Sequence, residues 1–128
     1  MTTVETDRLL YDGRWLELPQ QRPLEDGYWT YKQARRPAVN GHVLRASDYS
    51  CDWHLSGSKL FLCSVQFAGG GLDLTELITY GAPVPLFAEW FSDRIDAWED
   101  GETLDKPSRR HMRSFSFKAG VLTSVRHF

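Results

Sequence analysis

Cysteine is scarce in this chain. The two that occur, Cys51 and Cys63, are separated by eleven residues. That spacing is neither C-x-x-C nor a zinc-ribbon pattern, so it signals no redox or structural zinc centre. Four histidines occur, His42, His54, His111 and His127, and none falls at H-x-H or H-E-x-x-H spacing. No metal site and no cofactor are therefore expected. Long apolar runs are missing too: no stretch approaches the roughly 18 residues that mark a membrane helix. The opening residues, Met1 to Asp7, carry neither the basic n-region nor the apolar h-region of a secretory signal. The expectation is a cytoplasmic protein with no membrane partner, its two thiols reduced and buried. An excess of one charge is also absent, with 15 Lys+Arg against 17 Asp+Glu and a net charge of -2. General nucleic-acid binders show a basic excess, so nucleic acid is not an expected partner.

What the chain has in quantity is aromatic surface. Five Trp, five Tyr and seven Phe make 13% of 128 residues, a length that fits one domain spanning 1–128. Turn signals recur at short spacing: Asp12-Gly13, Asp26-Gly27, Asn40-Gly41, Ser56-Gly57-Ser58, Gly69-Gly70-Gly71, Asp100-Gly101 and Ala119-Gly120. Short aromatic and branched-aliphatic runs lie between them, the pattern of a mainly β chain with tight connections.

A first hairpin is expected from Arg8–Tyr11 and Arg14–Leu18, turning on Asp12-Gly13. Tyr28–Tyr31, His42–Arg45, Leu86–Phe91 and Arg94–Trp98 read as further strands, and His111–Phe117 with Val121–Val125 as a terminal hairpin. Glu99 to Arg110 reads as a polar loop. Asp73–Ile78, with an acid at its start and leucines three apart, reads as a helical turn or two. The clearest hairpin is central. Tyr49, Cys51, Trp53 and Leu55 alternate with Ser50, Asp52 and His54, and the answering arm, Lys59–Phe67, is apolar at most positions. A three-residue loop would set Cys51 opposite Cys63. A two-residue loop would shift the register and send the sulfurs to opposite faces. The sequence leaves both open.

Catalytic signatures are weak. Gly69-Gly70-Gly71 lacks the Lys-Ser/Thr and long helix of a phosphate cradle. Asp52 and His54 share a strand face, but a triad is defined by geometry rather than by composition. The chain is not expected to be an enzyme. Charge, however, is segregated. Asp93, Asp96, Glu99, Asp100, Glu102 and Asp105 precede Lys106, Arg109, Arg110 and Arg113. Such runs are ordinarily solvated loop faces. Beside Trp90 and Trp98 they also suit docking against a basic cleft, with aromatics as anchors.

Tyr49 to Trp53, Lys59-Leu60-Phe61-Leu62 and Phe87-Ala88-Glu89-Trp90-Phe91-Ser92 resemble a family of small bacterial proteins. In that family an aromatic-led strand ending in Trp is followed by a Leu-x-Leu strand and an Ala-x-Trp-Phe/Tyr-Ser-Gly segment; here Asp93 stands at the glycine. The resemblance covers about a third of the chain and carries no catalytic motif. It implies the immunity-protein class, cytoplasmic partners that neutralise a cognate toxin of interbacterial competition.

Together these readings predict a mainly β domain, a single antiparallel twisted sheet or half-open barrel with one or two short helices. The expected function is binding: an immunity protein that occludes the active site of a cognate toxin protein. Glu89, Asp93, Asp96, Glu99, Asp100 and Glu102 would face basic toxin residues, with Trp98 as an anchor. Trp53, Trp90, Phe61 and Leu62 are expected in the core. The alternative is a small-molecule-binding β-barrel module or a small enzyme with an unrecognised site.

Overall fold

Asp12 and Gly13 both take positive φ, 52° and 75°, the conformation an Asp-Gly hairpin turn needs. They join β1 (Asp7–Tyr11) to β2 (Arg14–Leu18). The structure is a computed structural model that describes residues 6–19, 21–68, 71–99 and 112–127. After β2 come α1 (Tyr28–Lys32), the short pair β3 (Ala38–Val39) and β4 (His42–Val43), then the long strands β5 (Tyr49–Ser56) and β6 (Lys59–Phe67). Next follow α2 (Thr75–Thr79), β7 (Leu86–Phe87), β8 (Arg94–Glu99), β9 (Met112–Lys118) and β10 (Val121–His127).

The main sheet runs in the order β10-β9-β8-β2-β1-β5-β6-β7. β10 also reaches back to β6, with Val121 opposite Lys59, so seven of the strands form a barrel-like sheet. The join is a single residue pair, so the barrel is half-open. The fold class is thus the mainly β, two-helix one expected. One pairing breaks the antiparallel rule: β1 and β5 run parallel, with Leu9 opposite Trp53.

Period-two alternation fills the interior. On β5, Tyr49, Cys51, Trp53 and Leu55 are buried, while Ser50, Asp52 and His54 are partly exposed. Leu9, Leu16, Leu18, Trp53, Leu60, Leu62, Ile95 and Phe115 are all 0% exposed. Each such aliphatic or aromatic side chain contributes about 1.5–3 kcal/mol through burial. Trp53 and Leu62 are therefore core as expected, whereas Phe61 and Trp90 are only partly buried. The barrel end at Asp7 and Tyr49 is covered by Arg22, α1 and residues 88–91. There Trp90 stands 4.7 Å from the Tyr28 ring and 6.2 Å from that of Trp53.

The β5–β6 loop is the two-residue one. Gly57 and Ser58 take φ of 57° and 64°, and Ser56 faces Lys59. A bulge between Asp52 and Trp53 shifts the register again, so Cys51 faces Val65 rather than Cys63. Both thiols are free, Cys51 buried and Cys63 partly so.

Three expected strands differ, of which His42–Arg45 is a strand only at His42–Val43. Tyr28–Tyr31 is the helix α1, because Gly27 (φ 102°) opens a turn that the Tyr31 N–H closes onto the Gly27 carbonyl at 2.9 Å. The turn aims Tyr28 inward, its hydroxyl donating to the Ile78 carbonyl at 2.7 Å, and leaves Tyr31 outside. Aromatic β propensity loses here to one buried anchor, since propensity in strands is mostly packing. Leu86–Phe91 is a strand only at Leu86–Phe87; beyond it the Phe91 N–H folds back to the Ala88 carbonyl at 3.0 Å. The first and central hairpins, the 73–78 helical turn, β8 and the terminal hairpin lie where the sequence places them. Of the expected loop, Glu99 ends β8, and 100–110 lies outside the described residues.

Candidate partner-binding surface

On β8, Ile95 and Ala97 point into the barrel and are 0% exposed. Alternation therefore turns Arg94, Asp96 and Trp98 outward. Trp98 is half-buried, flanked across the ladder by Met112 on β9 and Glu17 on β2. Asp96 is already engaged. Its carboxylate pairs with the Arg94 guanidinium at 3.3 Å and accepts the Ser114 hydroxyl, while its N–H donates to Gln21 Oε1 at 3.1 Å. Arg94 is mostly exposed, so that ion pair contributes no more than about 1 kcal/mol.

Asp93 and Glu89 lie around the corner, at the covered end. Asp93 is exposed and caps the Arg94 N–H through Oδ1 at 2.7 Å. Against it lies Asp26, whose carboxyl is raised above its ordinary value by desolvation and then by the neighbouring Asp93 carboxylate. Glu89 is exposed and accepts the Tyr31 hydroxyl. Tyr31, 47% exposed, stands 5.7 Å from the half-buried Trp90 ring, and Trp90 donates its indole N–H to the Pro23 carbonyl at 2.9 Å. Neither Asp26, Glu89 nor Asp93 has a basic partner among the described residues.

The fold thus divides the sequence-predicted set. Glu89 and Asp93 share one end with Asp26 and Tyr31. Asp96 and Trp98 lie on the outer wall of β8. Glu99 continues β8 opposite Leu16, with its side chain outside the description, and Asp100 and Glu102 lie outside the described residues. Sequence reasoning missed Asp26 and Tyr31. Asp26-Gly27 carries only a turn signal, and its approach to Asp93 depends on α1 packing across Trp90.

Elsewhere several buried and half-buried charged groups are tied into structure. Asp7, 0% exposed, accepts Arg22 Nε at 2.9 Å, the Cys51 N–H at 3.0 Å and the Trp53 indole N–H at 3.0 Å. Arg22 also donates to the carbonyls of Ala46 at 2.7 Å and Tyr49 at 2.5 Å. Glu25 Oε2 accepts Trp29 Nε1 at 3.0 Å and Arg36 Nη2 at 2.5 Å. Arg8 holds the Asp52 carboxylate through two bonds of 3.1 Å and lies over the Trp15 ring at 4.4 Å. No group of three or more His, Cys, Asp and Glu able to hold a metal ion occurs among the described residues. Among the described residues no helix is long and apolar enough to cross a membrane. Compared with known protein families, curated proteins and solved structures, the chain matches none.

Proposed function

We propose that this chain is a protein-binding domain of the immunity class, one that occludes the active site of a cognate toxin. The observation that carries the reading is the set of exposed carboxylates Asp26, Asp93 and Glu89 at one end of the barrel, where desolvation and then the Asp93 carboxylate raise Asp26 and Glu89 accepts the Tyr31 hydroxyl. These exposed carboxylates have no ion-pair partner among the described residues, since the Arg94 side chain next to Asp93 is turned to Asp96. Like charges held together cost free energy that a basic partner surface relieves. Tyr31 and Trp90 supply aromatic area next to those acids, and Trp98 with Asp96 extends it along β8.

The test starts from the neighbouring gene, which this reading expects to encode a toxin domain. The purified chain should bind it with nanomolar affinity or tighter. Replacing Glu89 and Asp93 together with lysine should weaken that affinity roughly tenfold or more and slow association. No binding to the neighbouring toxin would end the immunity reading. Tight binding that ignores the double charge reversal would move the interface away from this end.

A further inference from the structure

The barrel closes through one residue pair, and that leaves β10 with an open edge. Val121 faces Lys59, the Leu122 N–H donates to the Ser58 carbonyl at 2.8 Å, and the Leu60 N–H donates to the Gly120 carbonyl at 2.9 Å. Ser58 already belongs to the β5–β6 turn, so β10 runs on past the end of β6. From Thr123 to His127 its only partner among the described residues is β9.

The opposite lip of the seam is treated differently. On β6, Phe61 and Leu62 are covered by β7, the Val65 carbonyl accepts the Leu74 N–H at 2.8 Å, and the Phe67 N–H reaches the Leu72 carbonyl at 2.9 Å. An open strand edge displays alternate N–H and C=O groups and is a template for a further strand. β10 contains no proline and has β-branched residues at Val121, Thr123 and Val125. Its one irregularity is the register shift between Leu122 and Ser124. Regular pairing then resumes, from Ser124 opposite Ser116 to His127 opposite Arg113. That shift keeps both Leu122 and Val125 against the core, so the inner face of this edge is apolar.

Where β10 leaves the β5–β6 turn there is an open cleft of ≈ 490 Å³ lined by Tyr11, Asp12, Leu55, Gly57, Ser58 and Leu122. A strand laid along β10 would turn alternate side chains toward it. The charge along this edge is positive at Arg126. Along Thr123 to His127 the exposed cation is Arg126, which has no ion pair among the described residues; Lys59 is turned away over the Phe87 ring, and Lys118 belongs to β9. Asp12 is the single acid in the cleft lining. A second copy of this chain would bring an Arg126 to this edge in place of an acid.

We infer that the free edge of β10, Thr123 to His127, takes up an extended, acid-bearing segment of a partner protein by β-strand addition. An acidic side chain lies toward Arg126 and an apolar one enters the Tyr11–Leu55–Leu122 cleft. The surface is distinct from the acidic end, so this inference stands or falls separately from the immunity reading.

The test presents the full chain with a phage-displayed library of random peptides of about seven residues, strand length. Enriched peptides should alternate apolar residues with Asp or Glu and should slow amide hydrogen exchange across 123–127. Proline is then placed at Ser124 and at Val125 in turn. Successive strand amides point to opposite sides, so one of the two variants loses only an outward donor and keeps the wild-type melting temperature. That variant should bind the selected peptides roughly tenfold more weakly. Arg126→Glu, at an exposed position, should shift the selected peptides from acidic to basic. The inference is overturned by no enrichment, by protection elsewhere than 123–127, or by an unchanged charge preference in Arg126→Glu. A concentration-dependent dimer lost in the fold-preserving proline variant would overturn it in favour of a second copy.

Discussion

The carboxylate of Asp7 and the indole of Trp53 meet inside the barrel: Oδ2 accepts the indole N–H at 3.0 Å, and both residues are 0% exposed. Asp7 belongs to the inward set of β1 with Leu9, and Trp53 is the β5 residue opposite Leu9 in the parallel pairing. The other carboxylate oxygen takes Arg22 and the Cys51 N–H, so one side chain ties β1, β5 and the segment after β2. Removing it leaves the Trp53 indole and the Cys51 N–H without this acceptor and the Arg22 charge without its carboxylate, held by the Ala46 and Tyr49 carbonyls alone. Asp7→Ala should destabilise the fold by about 3–5 kcal/mol, read as a lower urea midpoint. Asp7→Asn, which keeps an acceptor, should lose less. The pH dependence has a definite sign. Burial raises the Asp7 carboxyl, and Arg22, the Trp53 indole and the Cys51 N–H only partly offset it. The native state therefore holds that proton to a higher pH than the unfolded chain does. Above the ordinary value of 3.8 stability should fall through this group and level off once the native carboxyl ionises. The wild-type stability curve minus that of Asp7→Asn should slope downward in that window. A flat difference would show that Asp7 ionises alike in both states.

Glu25 should behave in the opposite way. Burial pushes its carboxyl up, but the Arg36 guanidinium, the Trp29 indole and the neighbouring Tyr49 hydroxyl outweigh it and leave it lowered. Its contribution is complete above the ordinary value of 4.5 and is lost as pH falls through the lowered native value. Glu25→Gln should therefore flatten the acid limb of the unfolding curve while costing stability at neutral pH. A variant that keeps the wild-type acid limb would assign it to other carboxylates.

Much of the barrel was legible in local pattern. The alternation of Tyr49, Cys51, Trp53 and Leu55 is a physical consequence of a strand with one covered face, and Asp12-Gly13 and Asn40-Gly41 turn where they must. What escaped the sequence is non-local. Nothing near Arg8 says that β1 will lie parallel to β5, because a parallel pair is joined by a long connection rather than by a turn with its own chemistry. Asp7 looks like an ordinary residue of a polar N-terminal stretch until Arg22, Cys51 and Trp53 converge on it. The acidic run was legible as composition but not as a surface. Alternation separates outward Asp96 from buried Ile95 and Ala97, and α1 brings Asp26 to Asp93.

The cysteines give a chemical check on the register of the central hairpin. With Cys51 facing Val65 and Cys63 at the bulge, no cross-strand disulfide is expected. Burial pushes both thiols up, Cys51 furthest, because it is completely enclosed and lies near the Asp7 carboxylate. A thiol held protonated reacts slowly. A thiol-disulfide reagent should modify Cys63 slowly and leave Cys51 untouched in the native protein, and should modify both in urea. Mild oxidation should leave the two thiols free; an intramolecular disulfide would require the three-residue loop register instead.

Gly120 offers the sharpest test of how the seam is packed. It sits at φ 78°, and a Cβ there would stand 2.6 Å from the Ala88 carbonyl oxygen and 2.8 Å from Phe87 Cε1. Gly57, in the β5–β6 turn, also has positive φ, 57°, but nothing lies within 4 Å of its Cβ position. The two glycines therefore separate conformational strain from collision. Gly57→Ala should cost only the left-handed backbone penalty, about 1–2 kcal/mol. Gly120→Ala bears the same penalty and must also displace the backbone at Ala88. That displacement strains the Gly120 N–H to Phe91 carbonyl bond of 2.8 Å and the Leu60 bond that closes the barrel. Its loss should exceed that of Gly57→Ala by at least about 1 kcal/mol, read from urea melts side by side. Amide exchange at Leu60 and Leu122 should quicken in Gly120→Ala and stay unchanged in Gly57→Ala. Equal losses with unchanged exchange would mean that the seam does not depend on this contact.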